Sequence, residues 1–363
     1  MGLDVRVLCL NAGSSSLKVA LIEGGSATAR FGADVAATRD LRGLLELRGI
    51  APPDAIGHRL VHGGPDQTAP LRLTADARAR LDRAIPFAPL HLPAELDVVD
   101  AAARAYPDVP QVACFDTAFH ARLPDVARRL PIDGWADEAG VRRYGFHGLS
   151  YEYVVSRLGG EALDQAVIAH LGSGASMAAV HGGRSIDTTM GMSPTGGLMM
   201  GTRTGDLDPG VLVYLMDAKK WGARDVEHFV NHECGLLGVS GTTADMEKLL
   251  ATRDQDPQAR LAVDLFVYTA AKIVGALAVA LGGLRTLVFT GGMGAHSAAI
   301  RAGIASRLAF LGVTLDATRN LAHAAVISPP GASCMVHVIE TDEETVIAHH
   351  VERCLAGAAW PSS

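Results

Sequence analysis

Two stretches of small, hydroxyl-bearing residues stand between apolar runs: NAGSSS at 11–16 and HLGSGAS at 170–176. Each offers several backbone N–H groups, hydroxyl donors and little bulk. Those are the needs of a nest that lets anionic oxygen atoms approach the main chain. A plain hairpin turn also favours Asn and Gly, so either stretch alone supports both readings. A Walker A loop is absent, because Lys18 follows Ser16 at the wrong spacing. Other chemistry-bearing residues sit in short glycine- or proline-flanked segments. They are Arg59 in GHRLVHGG (57–64), His91 in APLHLP (88–93), Asp116 in FDTAFH (115–120), His147 in RRYGFHG (142–148), and Arg203 with Asp206 in MGTRTGDLDP (200–209). A single Arg or His in a turn is ordinary; several such loops in one chain point to a site assembled from strand ends. His58 and His62 could begin a metal site, but no third ligand follows at a suitable spacing.

The elements that must carry these loops alternate. Short β-branched or leucine-rich runs predict strands over 5–10, 17–22, 55–62, 110–115, 166–170, 177–181, 285–290 and 335–340. Helical patterns cover 74–84, 93–105, 149–158, 209–219, 222–231, 257–282, 296–310 and 342–355. Interleaved strands and helices predict an α/β protein. The run AVIAHLGSGASMAAV (166–180) copies VLCLNAGSSSLKVALI (7–22): apolar strand, Gly/Ser turn, second strand. This weak internal repeat, half a chain apart, predicts two related domains, 1–148 and 149–346, facing each other across a cleft. The C-terminal helix, 347–363, is expected to pack back onto the first.

The 363 residues are too many for one ordinary core. A net charge of -7 argues against nucleic acid or an anionic membrane as the main partner, since both want a basic face. The five cysteines are odd in number and never closer than twenty residues, so CxxC motifs are absent and a reduced, cytoplasmic setting is expected. MGLDVR lacks a basic-then-apolar signal pattern. The apolar segment 261–284 is interrupted by Asp264 and Lys272, so it reads as a buried helix and no membrane partner is expected.

Taken in order, the motifs NAGSSSLK, GHRLVHGG, APLHLPAEL, FDTAFH, RRYGFHGLS, HLGSGAS, DTTMGMSPTGGLMMGTRTGDLDP, ECGLLGVSG, FTGGMG and TDEE resemble the acetate kinase family. That family belongs to the short-chain carboxylate kinases of the actin/Hsp70/sugar-kinase superfamily. The resemblance implies two actin-like (ribonuclease-H-like) domains and a homodimer. It implies Mg²⁺-dependent, reversible in-line transfer between ATP and acetate, giving acetyl phosphate and ADP, with Mn²⁺ as an alternative ion. NAGSSS and HLGSGAS become the two phosphate loops. Arg59 and Arg203 would hold the carboxylate and the migrating phosphoryl group, and His147 would stabilise the transition state, with His91 and His170 nearby. Asp116 and Glu343 would stand near the metal, with Asn11 close by. Val61, Leu90, Phe146 and Pro194 would form the acyl pocket. Ser16, Lys18, His170, Gly172, Ser173, Gly174, Asp245, Gly292, Gly294 and His296 would contact nucleotide or phosphate.

The departures from the family pattern cluster on the nucleotide side. Ser173 stands for Asn, Ala295 and His296 stand for Glu and Asn in GGMGAHS, and Glu247 stands for Arg. The late TNEE reads Thr341-Asp-Glu-Glu344, and the chain is some tens of residues short for the family. Two consequences are open: an altered donor such as pyrophosphate or another nucleotide, or drift in a tolerant pocket. Propionate and butyrate kinases are the neighbouring enzyme classes, and a non-catalytic nucleotide-dependent switch is the alternative outside catalysis.

Overall fold

The computed structural model describes residues 5–13 and 16–358; Ser14 and Ser15 of the first Gly/Ser turn, and the chain beyond 358, lie outside the described residues. Two compact units divide the chain. The first comprises Met1–Ala121, Phe146–Tyr153 and Asp342–Ser363; the second comprises Arg122–Gly145 and Val154–Thr341.

The first unit holds a six-stranded mixed sheet built from β1 (Val7–Ala12), β2 (Ser16–Glu23), β3 (Ser26–Asp34), β4 (Ala55–Leu60), β5 (Leu71–Arg72) and β6 (Gln111–Phe115), in the order β3-β2-β1-β4-β6-β5. Strand β1 reads as a continuous apolar run because both faces are covered. Leu8 and Leu10 pack with Leu41, Leu45, Val98 and Ala102 on one side. Val7 and Cys9 pack with Leu149, Val346, Ile347 and Val351 on the other. The last helix, Glu343–Leu355, lies so close to β4 that a Cβ on Gly57 would fall 2.3 Å from Ile347 Cγ2.

The second unit holds β7 (Ala166–Leu171), β8 (Ala175–His181), β9 (Arg184–Thr188), β10 (Thr286–Thr290) and β11 (Met335–Val338), in the order β11-β10-β7-β8-β9. The repeat seen in the sequence is therefore topological. An antiparallel three-strand meander (β1-β2-β3, β7-β8-β9) continues through parallel neighbours of its first strand (β4 and β6, β10 and β11). Even the second turns agree: Gly24-Gly25 and Gly182-Gly183 both take φ of 54° and 77°. Two consecutive residues at positive φ make the type I′ turn that matches strand twist, and glycine adopts it without a Cβ clash.

All eight expected strands are present, and β3, β5 and β9 are additional. The helix expected over 296–310 is Ala298–Ser306, followed by a tighter turn at Ala309–Leu311; an additional short helix, Gly291–His296, precedes it, and the Ser297 hydroxyl caps the longer one by accepting from the Ile300 N–H. The helix expected over 74–84 ends at Leu81 and continues as a tighter turn through Pro86. Pro257–Leu281 is apolar and long enough to cross a membrane by composition, with half of its apolar stretch buried. Phe266, Ala270 and Val274 are fully buried in the second unit, while Leu261, Tyr268 and Val279 are exposed. The helix is thus two-faced, where the sequence reading expected a buried one.

Candidate active site

In the first unit, three strands end at one place. Register pairs Asn11 of β1 with Arg59 of β4, and Asp116 follows directly after β6, its N–H donating to Leu60 O at 3.0 Å. Ligand sites in α/β sheets lie outside such carboxyl ends of strands. Arg59 donates through Nη2 to Asp116 Oδ2 at 2.5 Å and through Nη1 to Glu95 Oε1 at 2.9 Å. Nη1 also donates to Ala12 O at 3.3 Å. These two buried carboxylates hold the guanidinium charged, raising its pKa against the opposing effect of burial. Arg59 Nε and Asp116 Oδ1 are buried and have no hydrogen-bond partner among the described residues. A buried donor and a buried acceptor without partners in one ion pair call for a ligand, an ion or a water to complete them.

Glu343 begins the last helix and accepts from Asn11 Nδ2 at 2.9 Å; Glu344 accepts from the same amide at 3.3 Å. Burial, then the Asp116 charge, push the Glu343 carboxyl up to about 7. A divalent cation would relieve that repulsion and would satisfy Asp116 Oδ1, so Asp116 and Glu343 fit a Mg²⁺ ion. Among the described residues no cluster of three or more His, Cys, Asp or Glu encloses a metal.

His147 takes φ of 59°, left-handed for a non-glycine residue. It directly precedes the helix Gly148–Leu158, and Gly148 N–H donates to Asp116 O at 2.9 Å. A Cβ at 148 would lie 2.2 Å from that oxygen. His147 is thereby tied to the Asp116 loop. Val61 and Phe146 are buried and Leu90 is exposed; Phe146 makes an edge contact with the His62 ring, 5.6 Å between centroids. Ser16 and Lys18 are both exposed on β2.

In the second unit His170 occupies in β7 the place that Asn11 holds in β1, fifth in its strand, and pairs in register with Thr290 of β10. Gly172, Ser173 and Gly174 form the turn after it. A Cβ on Gly172 would meet Gly174 O at 3.3 Å and Gly292 N at 4.0 Å, so the turn and the start of Gly291–His296 are close together. Ser173 O accepts from Gly201 N at 3.1 Å, which brings the Arg203 loop alongside. Arg203 Nη1 donates to Pro194 O at 3.0 Å, and Asp206 braces the loop by accepting from Gly197 N at 2.7 Å. Pro194 is buried and Gly294 is buried within its helix. Asp245 is an exposed helix cap that accepts from Glu247 N at 2.9 Å. His296 is exposed, 3.7 Å from Glu340.

The sequence profile of the Acetokinase family matches residues 47–349. The chain belongs to the acetokinase family. It is 49% identical over 310 residues to an acetate kinase of Rhodopseudomonas palustris, covering 84% of this chain and 77% of that one. The crystal structure of Porphyromonas gingivalis acetate kinase matches with a TM-score of 0.88 and 34% identity, over 97% of this chain and 100% of that chain. A propionate kinase from Francisella tularensis matches with a TM-score of 0.87 and 32% identity, over 96% and 99%. As an acetokinase the protein is a kinase that transfers phosphate to a carboxylate, on the actin-like fold.

Two side chains of this acetokinase belong to the site although no motif assigned them a role. Glu95 is the second partner of Arg59. Arg301 is fully buried, and donates to Gly294 O at 2.9 Å and Ala295 O at 2.7 Å, clamping the turn that carries Ala295 and His296. In both cases the available signal was a charge set among core-facing positions of a helix.

Proposed function

We propose that this protein catalyses reversible, Mg²⁺-dependent phosphoryl transfer between ATP and acetate, giving acetyl phosphate and ADP by direct in-line transfer. The observation that carries the reading is Arg59, a half-buried guanidinium fixed by two buried carboxylates with its Nε unpartnered among the described residues. A planar fork of that kind suits a carboxylate or an acyl phosphate. Val61 and Phe146 supply an apolar wall for a short acyl chain. Arg203 and His147 carry donors to the phosphoryl oxygens, on which charge is spread in the transition state, while the Asn11 amide braces Glu343 and Glu344. His91 and His170 stand by as further donors. Asp116 and Glu343 would hold Mg²⁺, which when bound neutralises phosphate charge. Ser173, Gly174 and Gly292 offer backbone N–H groups to the nucleotide phosphates, while the Gly172 N–H closes the turn by donating to Gly174 O at 3.0 Å.

The departures on the nucleotide side favour drift over a new donor. Glu247 is exposed, where water screens its charge, and the Ala295 turn is held through its carbonyl by Arg301 whatever its side chain. Helix Pro209–Lys219 buries none of its residues and exposes Val213 and Tyr214. That uncovered apolar surface supports a homodimer. Five unpaired cysteines suit the cytoplasm. A hydroxamate assay with acetate or propionate, Mg²⁺, and ATP, GTP or pyrophosphate tests the reading. Acetyl phosphate formed from ATP is the expected result; formation only from another donor would overturn the donor assignment, and silence with all three would overturn the reaction.

A further inference from the structure

Glu95 sits on the helix Leu92–Ala105, 2% exposed, on the same face as Leu92, Leu96 and Val99. Its two oxygens do different things. Oε1 accepts from Arg59 Nη1 at 2.9 Å, and Oε2 accepts from the Val61 main-chain N–H at 2.8 Å. One carboxylate therefore spans the anion-binding arginine and the backbone of an acyl-pocket residue two positions along the chain. Counting donors shows what this does to the guanidinium. Arginine has five N–H groups in a rigid plane. Both on Nη1 are used, by Glu95 and Ala12 O, and one on Nη2 is used by Asp116. What remains is Nε–H and one Nη2 proton, and Nε has no partner among the described residues.

We propose that Glu95 is a positioning residue: it turns Arg59 so that the substrate carboxylate is met by the Nε side of the guanidinium, and it sets Val61 in the same act, coupling acyl-chain selection to the arginine's orientation. The proposal rests on the reading of Arg59 and Val61 as acyl-substrate residues given above. A rigid link of this kind explains why a charged side chain occupies a core-facing position at all: each of its oxygens answers a buried donor that would otherwise be unsatisfied.

The variant Glu95→Gln tests it. Its amide keeps one acceptor oxygen and turns an NH₂ toward a donor, so either Arg59 Nη1 or Val61 N–H loses its partner. The expected result is a fall in kcat/KM for acetate on the order of 10- to 100-fold, the scale of one charge-assisted hydrogen bond. The nucleotide KM stays within about twofold, because Glu95 touches none of the residues assigned to the nucleotide, most of which lie in the other unit, and the acetate-over-propionate ratio shifts. In an Arg59→Lys background the same change should cost far less than its single-variant loss, since the two act as one. A readout independent of turnover is the ¹⁵N spectrum of the guanidinium: Arg59 Nη1, held by Glu95, gives a signal that Glu95→Gln abolishes and Arg59→Lys identifies. If Glu95→Gln does not fold, Glu95→Asp, one methylene short, carries the same measurements. A folded variant with unchanged acetate kinetics, acyl preference and Arg59 signal overturns the proposal. A wild-type protein that forms no acyl phosphate overturns the functional reading instead, and the spectrum still decides the role of Glu95.

Discussion

Glu95 also makes a prediction about stability, with a sign and a size. Burial pushes its carboxyl from 4.5 up to about 7, against the pull of Arg59 and the Val61 N–H and with a smaller push from Asp116. A group raised in this way favours folding in its protonated form. Its contribution is fully present below pH 4.5 and is lost as pH rises through about 7. At 1.36 kcal/mol for each tenfold change, that loss is about 3 kcal/mol. Glu95→Gln is permanently neutral and has no such dependence. The unfolding free energy of the wild type minus that of the variant should therefore fall by about 3 kcal/mol between pH 4.5 and about 8. Urea unfolding followed by far-UV circular dichroism at several pH values measures it. Hydrogen exchange in β1, β4 and β6 localises the effect. A difference curve flat across this range would refute the reasoning: it would mean that Arg59 outweighs burial and keeps Glu95 ionised throughout.

Three further outcomes are expected. Gly148→Ala places a methyl 2.2 Å from Asp116 O and 2.9 Å from Phe119 Cβ, so the Asp116 loop must move; a stability loss of about 1–3 kcal/mol in urea, with acyl phosphate formation reduced, is expected. Val61→Ala enlarges the acyl wall by two methyl groups and should shift the acetate-to-propionate kcat/KM ratio toward propionate by roughly 1–3 kcal/mol, read by the hydroxamate assay with both acids. His58 and His120, buried and bonded to Gln111 Oε1 and Phe146 O, are held neutral down to about pH 4 by burial. Their contribution is present above about 6.5 and is lost as pH falls toward 4, by up to about 3 kcal/mol each; His120→Gln should flatten that part of an acid-unfolding profile, and an unchanged profile would show the ring charging in place.

Much of this was legible because the site residues sit in short motifs whose backbone needs are local. Gly172 and Gly174 leave room for oxygen atoms wherever a strand ends, and the duplicated strand-turn-strand runs predict two copies of one arrangement. Strands β3 and β9 went unread although Gly24-Gly25 and Gly182-Gly183 announce them, since a Gly-Gly pair after a strand is a hairpin signal in its own right. Their residues alternate or lie exposed and so show no apolar run. Glu95 and Arg301 went unread for another reason. Each looks like a misplaced charge on an apolar helix face, and only the partner explains it: Arg59 and Val61 N–H for one, the carbonyls of Gly294 and Ala295 for the other. Partners 36 and 6 positions away are set by topology, which no local pattern contains.

The last helix has a consequence for the order in which the protein can be made. Residues 343–355 cover β1, β4 and β6 through Val346, Ile347 and Val351, and Glu343 reaches Asn11. A chain emerging from the ribosome thus lays down β1 first and receives the cover for one of its faces last, after the whole second unit has been synthesised. Until then that sheet face, with Cys9 and Cys114 on it, is open to solvent and to chaperones. The strand ends that carry Asn11, Arg59 and Asp116 therefore receive Glu343 only after residues 154–341 have been made.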